Sequence, residues 1–358
     1  MSKLFLKGNE AVAEAAVRGG CRFFAGYPIT PQNEIPEYLS KRLPEVGGAF
    51  VQGESELASI NMVIGASYIG TRAMTSSSGP GLSLMSEGLS TMAATPFPAV
   101  ILNVMRGGPG TGAIQGAQMD YLQATKAPGH GGFRLLAYAP STIQEAVDLV
   151  YKAFDKAWEY KAPTLVLMDG CIGSLMEPVE LPPMKEVQRE EYPLYTSQFL
   201  NTGNSNRRCS ATMITNERDQ ENWNRVQAER YATIEKNEVQ VEEYMVDDAE
   251  YVIVAYGTSA RVAKSTIRQL REKGIKVGLI RPITVWPFPY ESLKKLDETK
   301  VKGILCLELS IPALMVEDVD RGVQGRIPIA TYGRSAGIVF SSEEVEEQML
   351  LHIEQDWK

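Results

Sequence analysis

The feature that most constrains this chain is an alternation, through its first half, of short apolar runs with longer amphipathic ones. The runs at residues 22–25, 49–52, 72–76, 100–105, 134–137 and 164–168 are apolar in blocks rather than at every second position. Strands that read this way are covered on both faces. Between them, residues 9–17, 56–68, 82–91 and 143–159 are amphipathic at helical spacing. Strand–helix alternation of this kind predicts an α/β fold built on a parallel sheet.

The pattern breaks after Gly173. Residues 176–193 carry Pro178, Pro182, Pro183 and Pro193 and read as an extended connector. Residues 204–256 contain neither glycine nor proline. Within them, 218–244 is highly charged, with Trp223, Val226, Tyr231 and Ile234 at helical intervals, and predicts a long, mostly exposed helix. A second α/β block follows. Strands are expected at 251–255, 277–280, 304–307 and 328–331, with a helix at 259–273 closed by Gly274 and an acidic helix at 342–355. The expected organisation is a domain at 1–180, a linker with the charged helix at 181–246, and a smaller α/β domain at 247–358. A length of 358 residues suits two domains.

Charge and composition narrow the function. The net charge of −8 is spread along the chain, which disfavours a nucleic-acid binder. No run of eighteen apolar residues occurs, so no membrane-spanning helix is expected. The N-terminus lacks an apolar core followed by a small-residue cleavage site, so no secretory signal is expected. The cysteines, Cys21, Cys171, Cys209 and Cys306, are widely spaced, and the histidines are His130 and His352. That spacing offers no redox pair and no compact zinc or iron–sulfur cradle, and it fits a reduced, cytoplasmic protein. No protein-held metal is expected in this chain. The phosphate loop GxxxxGK[ST] is absent, the glycines at 79–81 and 108–112 have the wrong spacing for GxGxxG, and no GxSxG elbow occurs.

Three segments carry chemistry. Gly26-Tyr27-Pro28-Ile29-Thr30-Pro31 follows a strand, and Thr30 with Pro31 reads as the cap and first residue of a helix. Its local meaning is either that cap alone or an anion site at the carboxyl edge of the sheet. Glu54-Ser55-Glu56 opens the next helix, where acidic residues serve as ordinary dipole partners or as a catalytic carboxylate. A small-residue stretch, Gly65 to Gly70, and the turn Ser76-Ser77-Ser78-Gly79-Pro80-Gly81 come after it. The third segment, Met105-Arg106-Gly107-Gly108-Pro109-Gly110-Thr111-Gly112, runs on to Gln118-Met119-Asp120. Arg106 at a strand end is either a structural ion-pair partner or a clamp for a substrate carboxylate.

The helix-opening glutamate, the small-residue helix end and the SSSGPG turn resemble the pyrimidine-binding domain of thiamine-diphosphate enzymes. Adding YPITP, MRGGPGTG, the QxD at Gln118–Asp120 and the later RPITVWPFP at 281–289, the whole chain resembles the α-type subunit of the 2-oxoacid:ferredoxin oxidoreductases. Gly110, where many members have serine, and the closing Tyr332-Gly333-Arg334-Ser335-Ala336-Gly337 resemble the branched-chain (2-oxoisovalerate) branch.

The resemblance implies a pyrimidine-binding domain followed by a transketolase-C-terminal-like domain. It implies Glu56 as the catalytic, cofactor-activating carboxylate, with Glu54 the nearby competitor, and Thr30 and Arg106 as substrate-binding residues. Tyr27, Pro28, Ile29, Ser78, Gly79 and Pro80 would contact thiamine diphosphate. The GDG…N motif that holds magnesium on the diphosphate is absent, and Asp169-Gly170 stands alone. The resemblance therefore places Mg2+ and a [4Fe–4S] cluster on a partner β subunit. Further partners would be a γ subunit and a ferredoxin-like subunit or domain, arranged as a dimer of heteromers. CoA would be co-substrate and ferredoxin the acceptor. The expected reaction is oxidative decarboxylation of a 2-oxoacid. The same chemistry on 2-oxoglutarate or an aryl pyruvate, a catalytically silent scaffold, and a self-sufficient transketolase-like enzyme are the alternatives. Glu308 and Asp318, in the second block, read as structural.

Overall fold

The structure is a computed structural model describing residues 3–95, 97–186 and 213–357. Cys209, Pro193 and the start of the glycine-free stretch lie outside the described residues. The chain opens with β1 (Leu4–Lys7), α1 (Gly8–Arg18), β2 (Phe23–Gly26), α2 (Glu34–Glu45), β3 (Ala49–Gln52) and α3 (Glu56–Tyr68). There follow β4 (Ala73–Ser77), α4 (Pro80–Ala94), β5 (Val100–Gly107), β6 (Ala113–Gly116) and α5 (Tyr121–Thr125). Then come β7 (Leu136–Tyr138), α6 (Ile143–Tyr160), β8 (Thr164–Asp169), α7 (Gly170–Ser174) and β9 (Met176–Val179). The second half begins with α8 (Glu217–Asn237), β10 (Val241–Tyr244), β11 (Tyr251–Val254), α9 (Gly257–Glu272), β12 (Val277–Pro282) and β13 (Thr284–Trp286). It ends with α10 (Tyr290–Lys294), β14 (Gly303–Glu308), α11 (Val316–Val323), β15 (Ile329–Gly333) and α12 (Ser342–Glu354).

Two sheets organise these elements. The first has the order β13-β7-β8-β5-β4-β2-β3, with β6 hairpinned onto β5. Its strands from β7 to β3 are parallel. Every residue of β4, β5 and β8 is buried, which is why these strands read as apolar blocks. The second sheet has the order β10-β12-β11-β14-β15, parallel from β12 to β15. Its own cluster includes Ile253, Ile267, Leu279, Leu305, Val345 and Met349.

Three expectations are corrected. The charged helix stops at Asn237, and Val241–Tyr244 is instead an antiparallel edge strand on β12. Its charges are those of a protected edge: Glu242 accepts from Arg281 Nε at 2.6 Å and pairs with Lys264 at 2.5 Å. The connector at 176–193 begins with a strand, β9, paired antiparallel with β1. Thr30 caps no helix, because α2 begins at Glu34, after Asn33. The Thr30 carbonyl is taken by the Arg106 guanidinium, which holds this segment as a loop.

The two units meet across a buried polar seam. Asp169, at the end of β8, accepts the Thr258 N–H at 2.8 Å and the Thr258 hydroxyl at 2.7 Å at the start of α9. Gln118 donates Nε2 to the Tyr256 carbonyl at 2.9 Å, while its Oε1 accepts from Ser259 Oγ and the Leu309 N–H. Gly257 has φ +56°, and a side chain there would lie 2.5 Å from Asp169 Oδ2. Only glycine satisfies both conditions. Arg281 adds a bidentate pair to Glu145 on α6, at 2.8 and 2.9 Å.

Candidate active site

The strand order defines where a ligand belongs. After β2 the chain steps one way to β3, then returns to β4 on the other side of β2. The loops leaving β2 and β4 therefore diverge, and the crevice outside their carboxyl ends is the switch point at which open α/β sheets bind ligands. The loop after β2 is Tyr27-Pro28-Ile29-Thr30-Pro31. The turn after β4 is Ser78-Gly79, leading into Pro80 at the first position of α4. Arg106 stands near the end of β5, next to β4.

Glu56 opens α3, where the Ser55 hydroxyl caps the helix by accepting the Ala58 N–H at 3.2 Å. It is only 4% exposed, unusual for a glutamate, and no salt bridge to it occurs among the described residues. The Ser77 hydroxyl donates to Glu56 Oε1 at 3.3 Å. A side chain at Gly81 would come within 2.4 Å of the same oxygen, so the absence of a Cβ there gives the carboxylate its place. Glu54, by contrast, is exposed.

Arg106 is 5% exposed. Its Nη1 donates to the Thr30 carbonyl at 3.0 Å and its Nη2 to the Thr111 carbonyl at 2.8 Å. Its Nε is buried without a partner, as are Ser78 Oγ, Thr75 Oγ1 and Asn103 Oδ1, all on or just beyond β4 and β5. Gly79, at φ +44°, would point a side chain to within 3.6 Å of the Arg106 Nε. Thr30, Arg106, Gly79, Gly81, Ser77 and Glu56 are thus joined through one turn. Ser78 is buried, Ile29 half-buried, and Tyr27 and Pro28 exposed at the same sheet edge. The backbone carbonyl of Tyr27 accepts from Gln32, which accepts from Ser76 Oγ at 2.5 Å.

Asp120, which closes the QxD motif, lies against the same turn. Asn103 Nδ2 donates to its carboxylate at 3.0 Å. Burial pushes its carboxyl up, while the Asn103 amide, the Gly79 N–H and the Arg106 charge pull it down. It therefore fixes the Gly79 turn. Asp169, noted only as an isolated Asp-Gly, is a seam residue whose carboxyl burial also pushes up. Among the described residues no group of three or more His, Cys, Asp or Glu is placed to hold a metal. No helix among them is long and apolar enough to cross a membrane.

These features fit half of a thiamine-diphosphate site. A sealed carboxylate faces a glycine-flanked turn, and the partnerless Ser78 Oγ and Arg106 Nε lie at that same turn. Comparisons with known proteins agree. Residues 14–246 match the family described as pyruvate flavodoxin/ferredoxin oxidoreductase, thiamine diphosphate-binding, and residues 249–345 match pyruvate:ferredoxin oxidoreductase core domain II. The chain belongs to this family, as an α-type subunit of the 2-oxoacid:ferredoxin oxidoreductases. It is 46% identical over 299 residues to the ketoisovalerate oxidoreductase subunit VorB of Methanothermobacter marburgensis, covering 83% of this chain and 84% of that one. It is 35% identical to the 2-oxoglutarate synthase subunit KorA of Methanocaldococcus jannaschii, over 97% of this chain and 99% of that one. Among solved structures, the 2-oxoglutarate:ferredoxin oxidoreductase from Magnetococcus marinus superposes with a TM-score of 0.85 at 24% identity. That match covers all of this chain and 66% of the other, and carries the fold alone.

Proposed function

We propose that this chain supplies the pyrimidine half of the cofactor site and the carboxylate-binding residues of an enzyme that oxidatively decarboxylates a branched-chain 2-oxoacid. The products would be acyl-CoA, carbon dioxide and reduced ferredoxin. The observation that carries the reading is the meeting of Glu56 and the partnerless Arg106 Nε at one turn of the switch point.

Glu56 Oε1 is engaged by Ser77, so Oε2 is the atom that would hydrogen-bond the pyrimidine ring. Arg106, tethered to Thr30 and Thr111, would present Nε and its remaining protons to the substrate carboxylate. Thr30 would hold the same end of the substrate. Tyr27, Pro28, Ile29, Ser78, Gly79 and Pro80 would form the wall against the cofactor. When bound, thiamine diphosphate supplies the nucleophilic carbon and the electron sink. This chain's contribution is to position, to seal against water and to hold a proton at Glu56.

The remaining parts fall to other chains. A β subunit would bring Mg2+ and a [4Fe–4S] cluster, and a γ subunit and a ferredoxin-like subunit or domain would complete a dimer of heteromers. CoA would be co-substrate and ferredoxin the acceptor, in the cytoplasm. Residues 1–180 would form the cofactor domain, 181–246 the linker and 247–358 the second domain. The similarity to VorB and Gly110 in the arginine loop favour a branched substrate; the similarity to KorA keeps 2-oxoglutarate as the competitor.

The test is co-expression with the partner chains, followed by CoA-dependent reduction of a low-potential dye across a panel of 2-oxoacids. Turnover with 2-oxoisovalerate above 2-oxoglutarate and pyruvate is expected. Glu56→Gln is expected to abolish turnover while the complex still assembles. A complex loaded with thiamine and clusters that turns over no 2-oxoacid would overturn the proposal.

A further inference from the structure

We propose that the second unit reaches into the substrate site. Its loop 333–338 acts as a positioning element for Arg106, so the second unit tunes 2-oxoacid binding as well as contributing to assembly. The inference rests on Arg106 being the carboxylate-binding residue.

Arg106 is held from outside its own strand. One of its two tethers is the Thr111 carbonyl, on the loop between β5 and β6. That loop is rich in glycine. Gly110 and Gly112 have φ of +70° and +57°, and Gly108 and Gly110 have open space where a side chain would stand. A loop of this composition loses much conformational entropy when ordered and needs contacts from elsewhere to hold one shape. The contacts come from the segment after β15. The Ala336 Cα lies 3.1 Å from where a Gly107 side chain would begin. A side chain on Gly337 would start 2.2 Å from Gln115 Cβ, so these two segments touch with no spare layer. The Met119 sulfur is shared between them, accepting from the Gly108 N–H and from Ser335 Oγ, each at 3.2 Å.

The other side of the loop is anchored in the second unit. Arg334 and Tyr332 both bond to Glu344 on α12. The Arg334 N–H donates to the Glu308 carbonyl at 3.3 Å. Ala336 sits at φ +56°, a conformation a non-glycine residue keeps only where its surroundings enforce it. The line of contact thus runs from Glu344 through Arg334 to Ser335, Ala336 and Gly337, across to Met119, Gly107 and Gln115, and along the glycine loop that carries Thr111 to Arg106. The line approaches Glu56 at its Arg106 end, across the Gly79–Gly81 turn.

The test uses the assembled complex and three variants: Gly337→Ala, Gln115→Gly and the double variant. In Gly337→Ala the new Cβ must displace Gln115 and the hairpin. The expected result is a KM for the 2-oxoacid raised at least about tenfold, with kcat and the thiamine diphosphate dissociation constant within about threefold of wild type. Calorimetric binding of oxamate, which carries the carboxylate and adjoining carbonyl of a 2-oxoacid but does not react, is expected to weaken in parallel. Gly337 itself sits at φ +87°, so the backbone strain of alanine remains when the opposite Cβ is removed, and the double variant is expected to recover part of the lost affinity. An active wild type whose KM and oxamate affinity are unchanged in Gly337→Ala would overturn the positioning role alone. So would a fall in kcat with KM unchanged, or an affinity loss that Gln115→Gly does not relieve. A wild-type complex inactive on every 2-oxoacid would instead overturn the functional reading, and this inference with it.

Discussion

Glu308 offers a quantitative test of how the second unit is held together. Its side chain is fully buried at the end of β14. The carboxylate accepts the Leu314 N–H at 2.6 Å, the Met315 N–H at 3.0 Å and the Tyr256 hydroxyl at 3.3 Å. Burial nonetheless outweighs these bonds and pushes the carboxyl from 4.5 up to about 7. Below pH 4.5 the group is protonated in folded and unfolded chains alike and imposes no penalty. Between 4.5 and about 7 only the unfolded chain ionises, so stability falls as pH rises. Above about 7 the loss is complete, at about 3 kcal/mol. Glu308→Gln keeps the shape and one acceptor oxygen but cannot ionise. The free energy of unfolding of the variant relative to wild type is therefore expected to rise between pH 5 and pH 8, by roughly 2–3 kcal/mol. Urea unfolding of the full chain at half-unit pH steps reads this directly, because other groups cancel in the difference. A difference flat to within about 0.5 kcal/mol, or one that falls with pH, would refute the argument that burial dominates at this site.

Further outcomes follow from the site. Arg106→Lys cannot bridge the Thr30 and Thr111 carbonyls and still present a second donor, so kcat/KM for the 2-oxoacid is expected to fall roughly 10- to 150-fold, the worth of one charged hydrogen bond. Steady-state kinetics check it, and a change under threefold would remove Arg106 from substrate binding. Gly81→Ala places a methyl 1.9 Å from Ser77 Oγ, 2.4 Å from Glu56 Oε1 and 2.9 Å from Glu56 Cδ, all on buried side chains. Overpacking of a buried site costs about 1–3 kcal/mol, so the midpoint of thermal unfolding is expected to fall, and dye reduction to fall at least about tenfold as Glu56 is displaced.

Much of this was legible because burial on two faces writes a blocky apolar pattern. The buried strand Thr164–Asp169 lies within one residue of its expected bounds, and the helix at Glu56–Tyr68 coincides with its own. Val241–Tyr244 was misread because a charged edge strand and an exposed helix both place glutamates beside apolar residues, and only the pairing with Arg281 and Lys264 decides between them. Thr30 looked like a cap because Thr-Pro before an apolar stretch is a capping signature. Arg106, 76 positions away, claims its carbonyl, and no local pattern carries that. The clustering of Thr30 with Arg106, and of Glu56 with Gly81, followed from strand-end motifs at a switch point. The seam residues Asp169, Gln118 and Thr258 were invisible because their partners lie 89 to 191 positions apart. A buried Asp-Gly at a strand end facing a Gly-Thr-Ser helix start was the signal available.

The small strand β13 sets a timetable for making this protein. It closes the outer edge of the first sheet by pairing with β7, yet lies beyond the whole of α8 and β12 in the chain. On the ribosome, β7 must wait for about 150 further residues, on the order of 10–30 seconds of synthesis, before its edge is covered. Through that interval the nascent chain exposes an apolar strand edge, the kind of template that invites another copy to pair. A gene cut between β9 and α8 would make that exposure permanent.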